Sequence, residues 1–193
     1  AGEAERAVDR LMKEEKLGDA GKRIVIEEML TGEEATVMCI TDGKTIVLLP
    51  PCQDYKRALD GDKGPNTGGM GSICPTPVVS DKIMRVIERE ILVPTIHALS
   101  HQGMPFRGVL FAGLMITDKG PYVLEYNVRF GDPETQSLLA RIRSDLVPLF
   151  HAAAIGKIPS EASEEEGKIK GLDLEIDERS AVTVVLASGG YPG

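Results

Sequence analysis

The chain has 193 residues, is 42% hydrophobic and 27% charged, and carries a formal net charge of −8. This length suits one domain or one and a half, and the composition is that of a globular chain rather than a disordered one. The acidic balance and the absence of Trp disfavour a nucleic-acid partner, because such proteins present basic faces and stacking aromatic side chains. Phosphate ligands remain compatible with local Lys and Arg clusters.

The cysteine count and the hydropathy pattern indicate a protein of a reducing compartment, and we expect the cytosol. The chain has three cysteines, Cys39, Cys52 and Cys74. An odd number without CxxC spacing disfavours a zinc site or a disulfide framework. No apolar run reaches membrane-spanning length and no signal peptide opens the chain. The first residue is not Met, so we expect a piece of a longer protein.

The first quarter of the chain is predicted to form a helix followed by antiparallel strands. Apolar residues recur at helical spacing over residues 4–12, and two glycines end that pattern. Residues 24–30 are apolar and β-branched, which predicts a strand. Residues 35–40 and 45–49 predict a hairpin that turns at Asp42-Gly43.

The middle of the chain is predicted to contain a long functional loop, a helix and a second hairpin. Periodicity is absent from residues 50–77, and long ordered loops are usually binding segments or lids. Ser80 is a candidate cap for a helix that Pro94 kinks or interrupts. Residues 109–117 and 122–128 predict two strands joined by a tight turn.

The last part is predicted to contain one amphipathic helix, an acidic linker and a new strand. Apolar residues from 138 to 149 have helical spacing. The alternation of helices with antiparallel hairpins indicates an α+β fold rather than a parallel doubly wound sheet. We expect a first domain, an acidic linker and the truncated start of a C-terminal β domain, at residues 1–160, 161–180 and 181–193.

The strand before the charged turn at residues 129–134 carries two candidate metal ligands. Strand alternation places Glu125 and Asn127 on one face, and their oxygens are hard donors of the type that Mg²⁺ prefers. In the turn, Arg129 is suited to bind a carboxylate or phosphate through two hydrogen bonds, and Asp132 to hold an amine. The short E-x-N pattern alone is a weak signal, and by itself it favours an edge strand with a solvated polar face.

Two further segments have the composition of ligand-binding elements. Five glycines between Gly61 and Gly71 let backbone N–H groups approach anionic oxygens, and Lys56 and Arg57 add cationic donors. The segment has neither the Rossmann nor the Walker spacing of glycines, and a flexible surface loop is the alternative. The strand at residues 24–30, with its acidic turn, has backbone groups and a carboxylate suited to a purine nucleoside, or is simply a strand with a polar end.

The sequence Arg-Phe-Gly-Asp-Pro-Glu-Thr-Gln at residues 129–136 resembles the signature octapeptide of the glycinamide ribonucleotide synthetase family. Leu-Glu-Tyr-Asn at residues 124–127 resembles the metal strand of the wider ATP-grasp superfamily, and the Gly-rich segment resembles the large active-site loop of the same family. The resemblance covers essentially the whole chain, although family members are longer. It implies an ATP-grasp fold, with antiparallel sheets and flanking helices, truncated here at both ends.

The resemblance also implies roles for individual residues. Those expected to bind the adenine and ribose of ATP are Glu27, Glu28, Met29, Leu30 and Glu34. Those expected to contact phosphates or the acceptor substrate are Asp54, Lys56, Arg57, Asn66, Thr67, Gly68 and Gly69. Mg²⁺ or Mn²⁺ is expected at Glu125 and Asn127, and the catalytic residues are expected to be Lys56, Arg129 and Asp132. A third acidic metal ligand, common on the preceding strand of relatives, has no counterpart at residues 111–116.

The activity that the resemblance implies is the ligation of glycine to 5-phosphoribosylamine. ATP converts glycine to glycyl phosphate, and the amine then displaces phosphate, giving glycinamide ribonucleotide and ADP in purine biosynthesis. We expect the 193-residue stretch alone to have negligible ligase activity, and fusion to other purine-pathway domains stays open. The alternatives are another ATP-grasp carboxylate–amine ligase and a non-catalytic nucleotide-binding module. A membrane partner is not expected.

Overall fold

A computed structural model describes residues 2–14, 18–159 and 174–192. The chain forms two compact units, Ala1–Leu30 and Thr31–Gly193. The larger unit contains all the strands found among the described residues, and its sheet positions the side chains discussed below.

The small unit is helical at its start and irregular at its end. Helix α1 (Gly2–Val8) continues into a wider turn of π type at Asp9–Lys13, which confirms the predicted helix, and a 3-10 turn follows at Gly18–Lys22. The strand predicted at residues 24–30 is wrong, because this segment has no regular secondary structure. It pairs with no described strand, and Met29 is 90% exposed, so β-branched composition alone does not produce a strand.

The larger unit contains nine strands and four helices among its described residues. The strands are β1 (Glu33–Thr41), β2 (Ile46–Leu48), β3 (Gln53–Asp54), β4 (Arg57–Leu59), β5 (Lys63–Asn66), β6 (Gly71–Cys74), β7 (Gly108–Thr117), β8 (Gly120–Asn127) and β9 (Ala181–Val184). The helices are α2 (Asp81–Ile87), α3 (Val93–His101), α4 (Glu134–Leu139) and α5 (Val147–Ile155).

The central sheet has the antiparallel order β2-β1-β7-β8, and its inner strands β1 and β7 are covered on both faces. Alternate residues of β1, such as Val37, pack with β7 against α2 and α3, whereas Met38 and Ile40 point into a second core with α4 and α5. Burial on both faces explains why β1 reads as a continuous apolar run rather than an alternating one. The predicted α+β class and both predicted hairpins are confirmed.

The helical segment before β7 follows its sequence signals. Ser80 accepts a hydrogen bond from the backbone N–H of Ile83 at 3.4 Å and so caps α2 as predicted. A π-type turn at Glu88–Leu92 separates α2 from α3. Pro94 has no backbone N–H to donate to a carbonyl oxygen in the preceding turn of the helix. This missing hydrogen bond accounts for the wider, π-type turn just before Pro94.

Two sequence predictions for this unit are wrong. Residues 50–77 are not one long loop, because they contain β3 to β6; these strands have two to four residues each, too short for a period-2 pattern to be seen. The single helix predicted over residues 138–149 is two helices, α4 and α5. Pro148 lacks the N–H that a continuous helix would need, and it lies instead in the first turn of α5.

The predicted acidic linker lies mostly outside the described residues, at 160–173. Its described end is packed, since Leu174 contacts the second core and Ile176 pairs with Ile142. Strand β9 then pairs antiparallel with β6, in a sheet of order β3-β6-β9. The domain boundaries stay a prediction.

Within the described residues, no helix is long and apolar enough to cross a membrane.

We expect Leu138→Ala to lower the free energy of unfolding by about 2–5 kcal/mol, because it leaves a cavity where a fully buried side chain packs in the second core. The matched variant is Leu139→Ala, the next residue of α4, whose side chain is 43% exposed. Urea unfolding of both variants measures the difference. Equal losses would contradict the assignment of Leu138 to the core.

Candidate functional site

A cavity of about 210 Å³ opens where β1, β7 and β8 approach the segment that follows β2. Its lining combines charged groups with apolar strand residues: Glu34, Ala35, Thr36, Asp54, Lys56, Phe111, Gly113, Leu114, Leu124 and Glu125. Four of the sequence-predicted site residues are among them. The cavity is therefore the candidate site.

The cavity exists because a glycine lies in the middle of one row of the sheet. Thr36 on β1 pairs with Gly113 on β7, and Gly113 pairs with Glu125 on β8. A Cβ atom at position 113 would lie 3.0 Å from the Cγ atom of Glu125, so a side chain there would crowd that residue. Gly113 thus leaves free the space between Thr36 and Glu125.

A β-bulge on β8 aims two consecutive side chains at this space. Gly113 pairs with Glu125 and Leu114 pairs with Val123, so Leu124 is an extra residue. Both Leu124 and Glu125 line the cavity, whereas strict strand alternation would place them on opposite faces. Bulges beside functional sites commonly re-aim a side chain in this way.

The two candidate metal ligands lie on the same side of β8. The amide Nδ2 of Asn127 donates a hydrogen bond to Oε1 of Glu125 at 3.3 Å. Across the described ranges 2–14, 18–159 and 174–192, no three His, Cys, Asp or Glu residues are grouped as metal ligands. The pair therefore offers one carboxylate and one amide oxygen.

Lys56 is the cation that faces these groups. Its Nζ atom lies 2.6 Å from Oε2 of Glu34 and 3.9 Å from Oδ2 of Asp54. Burial opposes its charge, yet the hydrogen bond to Glu34 and the charges of Asp54 and Glu125 raise the pKa of Lys56. Burial raises the pKa of Asp54, although Lys56 opposes that effect. The ammonium group is thus held firmly charged beside the cavity.

The Gly-rich segment is fixed at its ends rather than free. Thr67 donates two hydrogen bonds to the backbone oxygen of Lys56, from N at 2.7 Å and from Oγ1 at 2.8 Å, and accepts one on Oγ1 from the N–H of Gly69. Gly69 has a φ of +120°, and a Cβ there would overlap the Pro133 ring. The glycine therefore lets this segment touch the octapeptide turn.

Three other residues that were expected to contact phosphates or the acceptor substrate bond to other parts of the chain. Arg57 donates to the backbone oxygen of Gly64 at 2.8 Å, and Asn66 pairs with Arg57 in the β4–β5 hairpin. The N–H of Gly68 donates to the hydroxyl of Tyr191 at 3.2 Å. None of these side chains lines the cavity.

The predicted catalytic residues of the turn also lie outside the cavity lining. Arg129 is exposed and donates to the backbone oxygen of Phe130 at 2.8 Å, and Asp132 accepts from Gln136 at 2.7 Å. Glu27, Glu28, Met29 and Leu30 belong to the other compact unit. The substrate and adenine roles of these residues stay predictions.

Sequence reasoning missed the most buried acid of the octapeptide. Glu134 is 3% exposed and accepts a hydrogen bond from the hydroxyl of Thr36 at 3.1 Å. Burial raises the pKa of Glu134, with a smaller contribution from the negative charge of Asp54. A Cβ on Gly131 would lie 2.5 Å from the Glu134 carboxylate, so this glycine leaves room for it. The only sequence signal was an acid at the start of an apolar helix.

A larger depression of about 640 Å³ lies between the start of α2 and the β7–β8 turn. None of the sequence-predicted site residues lines it. The smaller cavity is the better candidate because it contains the ion pair and the β8 carboxylate.

The central antiparallel sheet with flanking helices, and the strand whose carboxylate shares a cavity with a lysine, belong to an ATP-grasp protein. The fold agrees with that of the phosphoribosylamine–glycine ligase of Thermotoga maritima, with a TM-score of 0.68, 38% identity, and coverage of 86% of this chain and 39% of that one. Residues 1–135 match the phosphoribosylglycinamide synthetase, ATP-grasp (A) domain family. The chain belongs to this family.

Two curated relatives match almost the full chain. A phosphoribosylamine–glycine ligase of Rhodopirellula baltica is 53% identical over 190 residues, which is 98% of this chain and 41% of that protein. The trifunctional purine biosynthetic protein adenosine-3 of Bos taurus is 46% identical over 191 residues, 99% of this chain and 18% of that protein. The chain thus spans less than half the length of each relative.

We expect Glu134→Gln to remove part of the pH dependence of stability. Because the folded-state pKa of Glu134 is raised, its contribution to stability is full below the ordinary pKa of 4.5 and is lost as pH rises through the folded pKa. The variant should therefore gain stability relative to the parent above pH 4.5. Unfolding free energies of the parent and the variant across this range test it, and an identical pH dependence in both would contradict the expectation.

We expect Lys56→Met to raise the pKa of Asp54 further, because the ammonium group that stabilises its charged form is removed. A carboxyl ¹³C NMR titration of Asp54 measures the shift. The matched variant Lys44→Met changes an exposed lysine of the β1–β2 turn and should leave Asp54 unchanged. An unaltered Asp54 titration in Lys56→Met would contradict the proximity of the two groups.

Proposed function

We propose that this chain forms the ATP- and metal-binding part of a ligase that joins glycine to 5-phosphoribosylamine. The products are glycinamide ribonucleotide, ADP and phosphate, formed through glycyl phosphate. The observation that carries the proposal is the cavity in which Glu34, Asp54 and Glu125 surround Lys56. Family membership and the names of the relatives support the choice of reaction.

The donor set fits Mg²⁺ or Mn²⁺. Glu125 and Asn127 offer hard oxygens on one side of β8, and Mg²⁺ needs few protein ligands when phosphates and waters complete its shell. The carboxylates of the cavity outnumber its one lysine, so a triphosphate entering alone would be repelled. A divalent cation held by Glu125 and Asn127 would offset that repulsion and the charge on the phosphate oxygens.

Lys56 is the group suited to a transferring phosphate. It has three donors and its ammonium stays charged, so it can stabilise charge that develops on phosphate oxygens. Because its partner Glu34 is also the residue assigned to the ribose, nucleotide binding would compete with Lys56 for this carboxylate. In the present structure Glu34 holds the lysine at the cavity.

The reaction needs positioning more than a covalent nucleophile. The glycine carboxylate attacks the γ-phosphorus, ADP leaves, and the amine of phosphoribosylamine then displaces phosphate from the acyl carbon. The chain's contribution is to hold the reactants in line and to keep water away from glycyl phosphate. Arg129 and Asp132, exposed on the turn after β8, are proposed to bind the carboxylate and amine of the substrates.

We further propose a cytosolic location and allow a fused parent protein, since one relative is a trifunctional purine biosynthetic protein.

A second candidate function, a carboxylate–amine ligase for a different amino acid, is favoured only by the breadth of the fold. ADP formation by the full-length protein with glycine, alanine and serine separates them. We expect glycine to be used with the highest kcat/KM, and an equal or better alternative acid would overturn the assignment.

We expect the double variant Glu125→Ala/Asn127→Ala to lower Mg²⁺-dependent ATP turnover by about 10²-fold or more, the size seen when preorganised charge stabilisation is removed. A non-catalytic module would show no glycine-dependent turnover in the parent. The matched variant Glu178→Ala removes an exposed carboxylate elsewhere and should retain activity. Retained turnover in the double variant would contradict the metal-site proposal.

A further inference from the structure

Two cysteines that the proposed reaction does not use lie opposite each other between β3 and β6. Gln53 pairs with Ile73 and Asp54 with Ser72 in antiparallel register. Continuing this register by one residue brings Cys52 opposite Cys74. Both thiols are free and fully buried, and their Sγ atoms lie 3.6 Å and 4.0 Å from the same backbone oxygen, that of Pro50.

The backbone hydrogen bonds show which kind of cross-strand pair this is. The N–H and C=O of Cys52 both bond to Thr36 on β1, at 2.8 Å each. They therefore point away from β6, so Cys52 and Cys74 form a non-hydrogen-bonded pair, the type with the closer side chains and a Cα separation of about 4.5 Å. A disulfide requires a Cα separation of about 4.4–6.8 Å, so the backbone can accept one.

The surroundings of Cys74 favour its thiolate. Nη1 of Arg141 lies 3.6 Å from the sulfur of Cys74, and the other donors of this buried guanidinium are held by the backbone oxygens of Arg179 and Asp177. The hydrogen bond from Cys52, together with Arg141, lowers the pKa of Cys74 to about 7 although burial opposes it. The hydrogen bond to the Cys74 sulfur and, after it, burial raise the pKa of Cys52. The Cys74 sulfur is thus the nucleophile of the pair, and Cys52 is the protonated thiol beside it.

We propose that Cys52 and Cys74 are a site of reversible oxidation, at which a peroxide joins them in an intrachain disulfide. The thiolate of Cys74 attacks one peroxide oxygen, the O–O bond breaks, and hydroxide leaves, giving a sulfenic acid. The sulfur of Cys52 then attacks the Cys74 sulfur, the S–O bond breaks, and water leaves with the thiol proton. Peroxide is the two-electron oxidant, and a small dithiol restores the thiols by exchange.

The position of the pair connects it to the candidate site. Cys52 is bonded through its backbone to Thr36, which lines the cavity and holds Glu134. It also precedes β3, the strand that carries Asp54. The third cysteine, Cys39, is equally buried but lies in the other core with no thiol or cation beside it among the described residues, and burial raises its pKa to about 12.

The test is peroxide treatment of the full-length protein, followed by alkylation under denaturing conditions and peptide mass mapping without reductant. We expect a Cys52–Cys74 linked peptide that dithiothreitol removes, while Cys39 is recovered alkylated. The Cys39→Ala variant should give the same linked peptide. In Cys52→Ala, the sulfenic acid of Cys74 should persist and be trapped by dimedone, an adduct that the parent protein does not accumulate.

Three results would overturn the proposal. Cys52 and Cys74 recovered as fully alkylated as Cys39 would show that the pair is inert. Oxidation of Cys74 to sulfinic acid with Cys52 still reduced would show that the two sulfurs do not meet. Cross-linking through Cys39 at the same rate would show that peroxide acts on an unfolded chain, and circular dichroism of the treated protein checks the fold independently.

Discussion

The antiparallel pairing of β1 with β7 and of β7 with β8 is the constraint on which the candidate site depends. This pairing aligns Thr36, Gly113 and Glu125 in one row across three strands. Because β1 is buried on both faces, a slip of its register by one residue would exchange the two cores and is strongly disfavoured. The stability of the sheet therefore also fixes the distance between the hydroxyl of Thr36 and the carboxylate of Glu125.

The charges of the site follow from what surrounds the row. Lys56 balances Glu34 directly and Asp54 at longer range, while Glu134 lies beneath Thr36 with its carboxylate largely removed from water. Half-exposed pairs such as Lys56–Glu34 contribute little to stability, so this ion pair does not account for the stability of the fold. The burial of Glu134 gives the same region a dependence on pH.

The octapeptide turn acts as a structural junction. The hydroxyl of Ser72 donates to the backbone oxygen of Pro133 at 2.7 Å, and Gly69 packs against the Pro133 ring. These contacts link the Gly-rich segment, β6 and the start of α4. The described end of the acidic segment joins the same assembly through Arg141, which explains why Leu174 and Asp177 have partners although the composition of the segment is that of a solvated linker.

The sequence by itself determined the central hairpins, the Ser80 cap, the shared side of Glu125 and Asn127, and the family, because these depend on local spacing and on short motifs. It failed at residues 24–30, where composition favours a strand but no described partner is present. Only the tertiary structure decided that Glu134 is buried against Thr36, that Gly113 opens the cavity, that a bulge turns Leu124 toward it, and that Cys52 lies opposite Cys74. None of these follows from a local pattern, because Glu134 meets Thr36 through the packing of α4 against β1, and the other three depend on which residues pair across neighbouring strands.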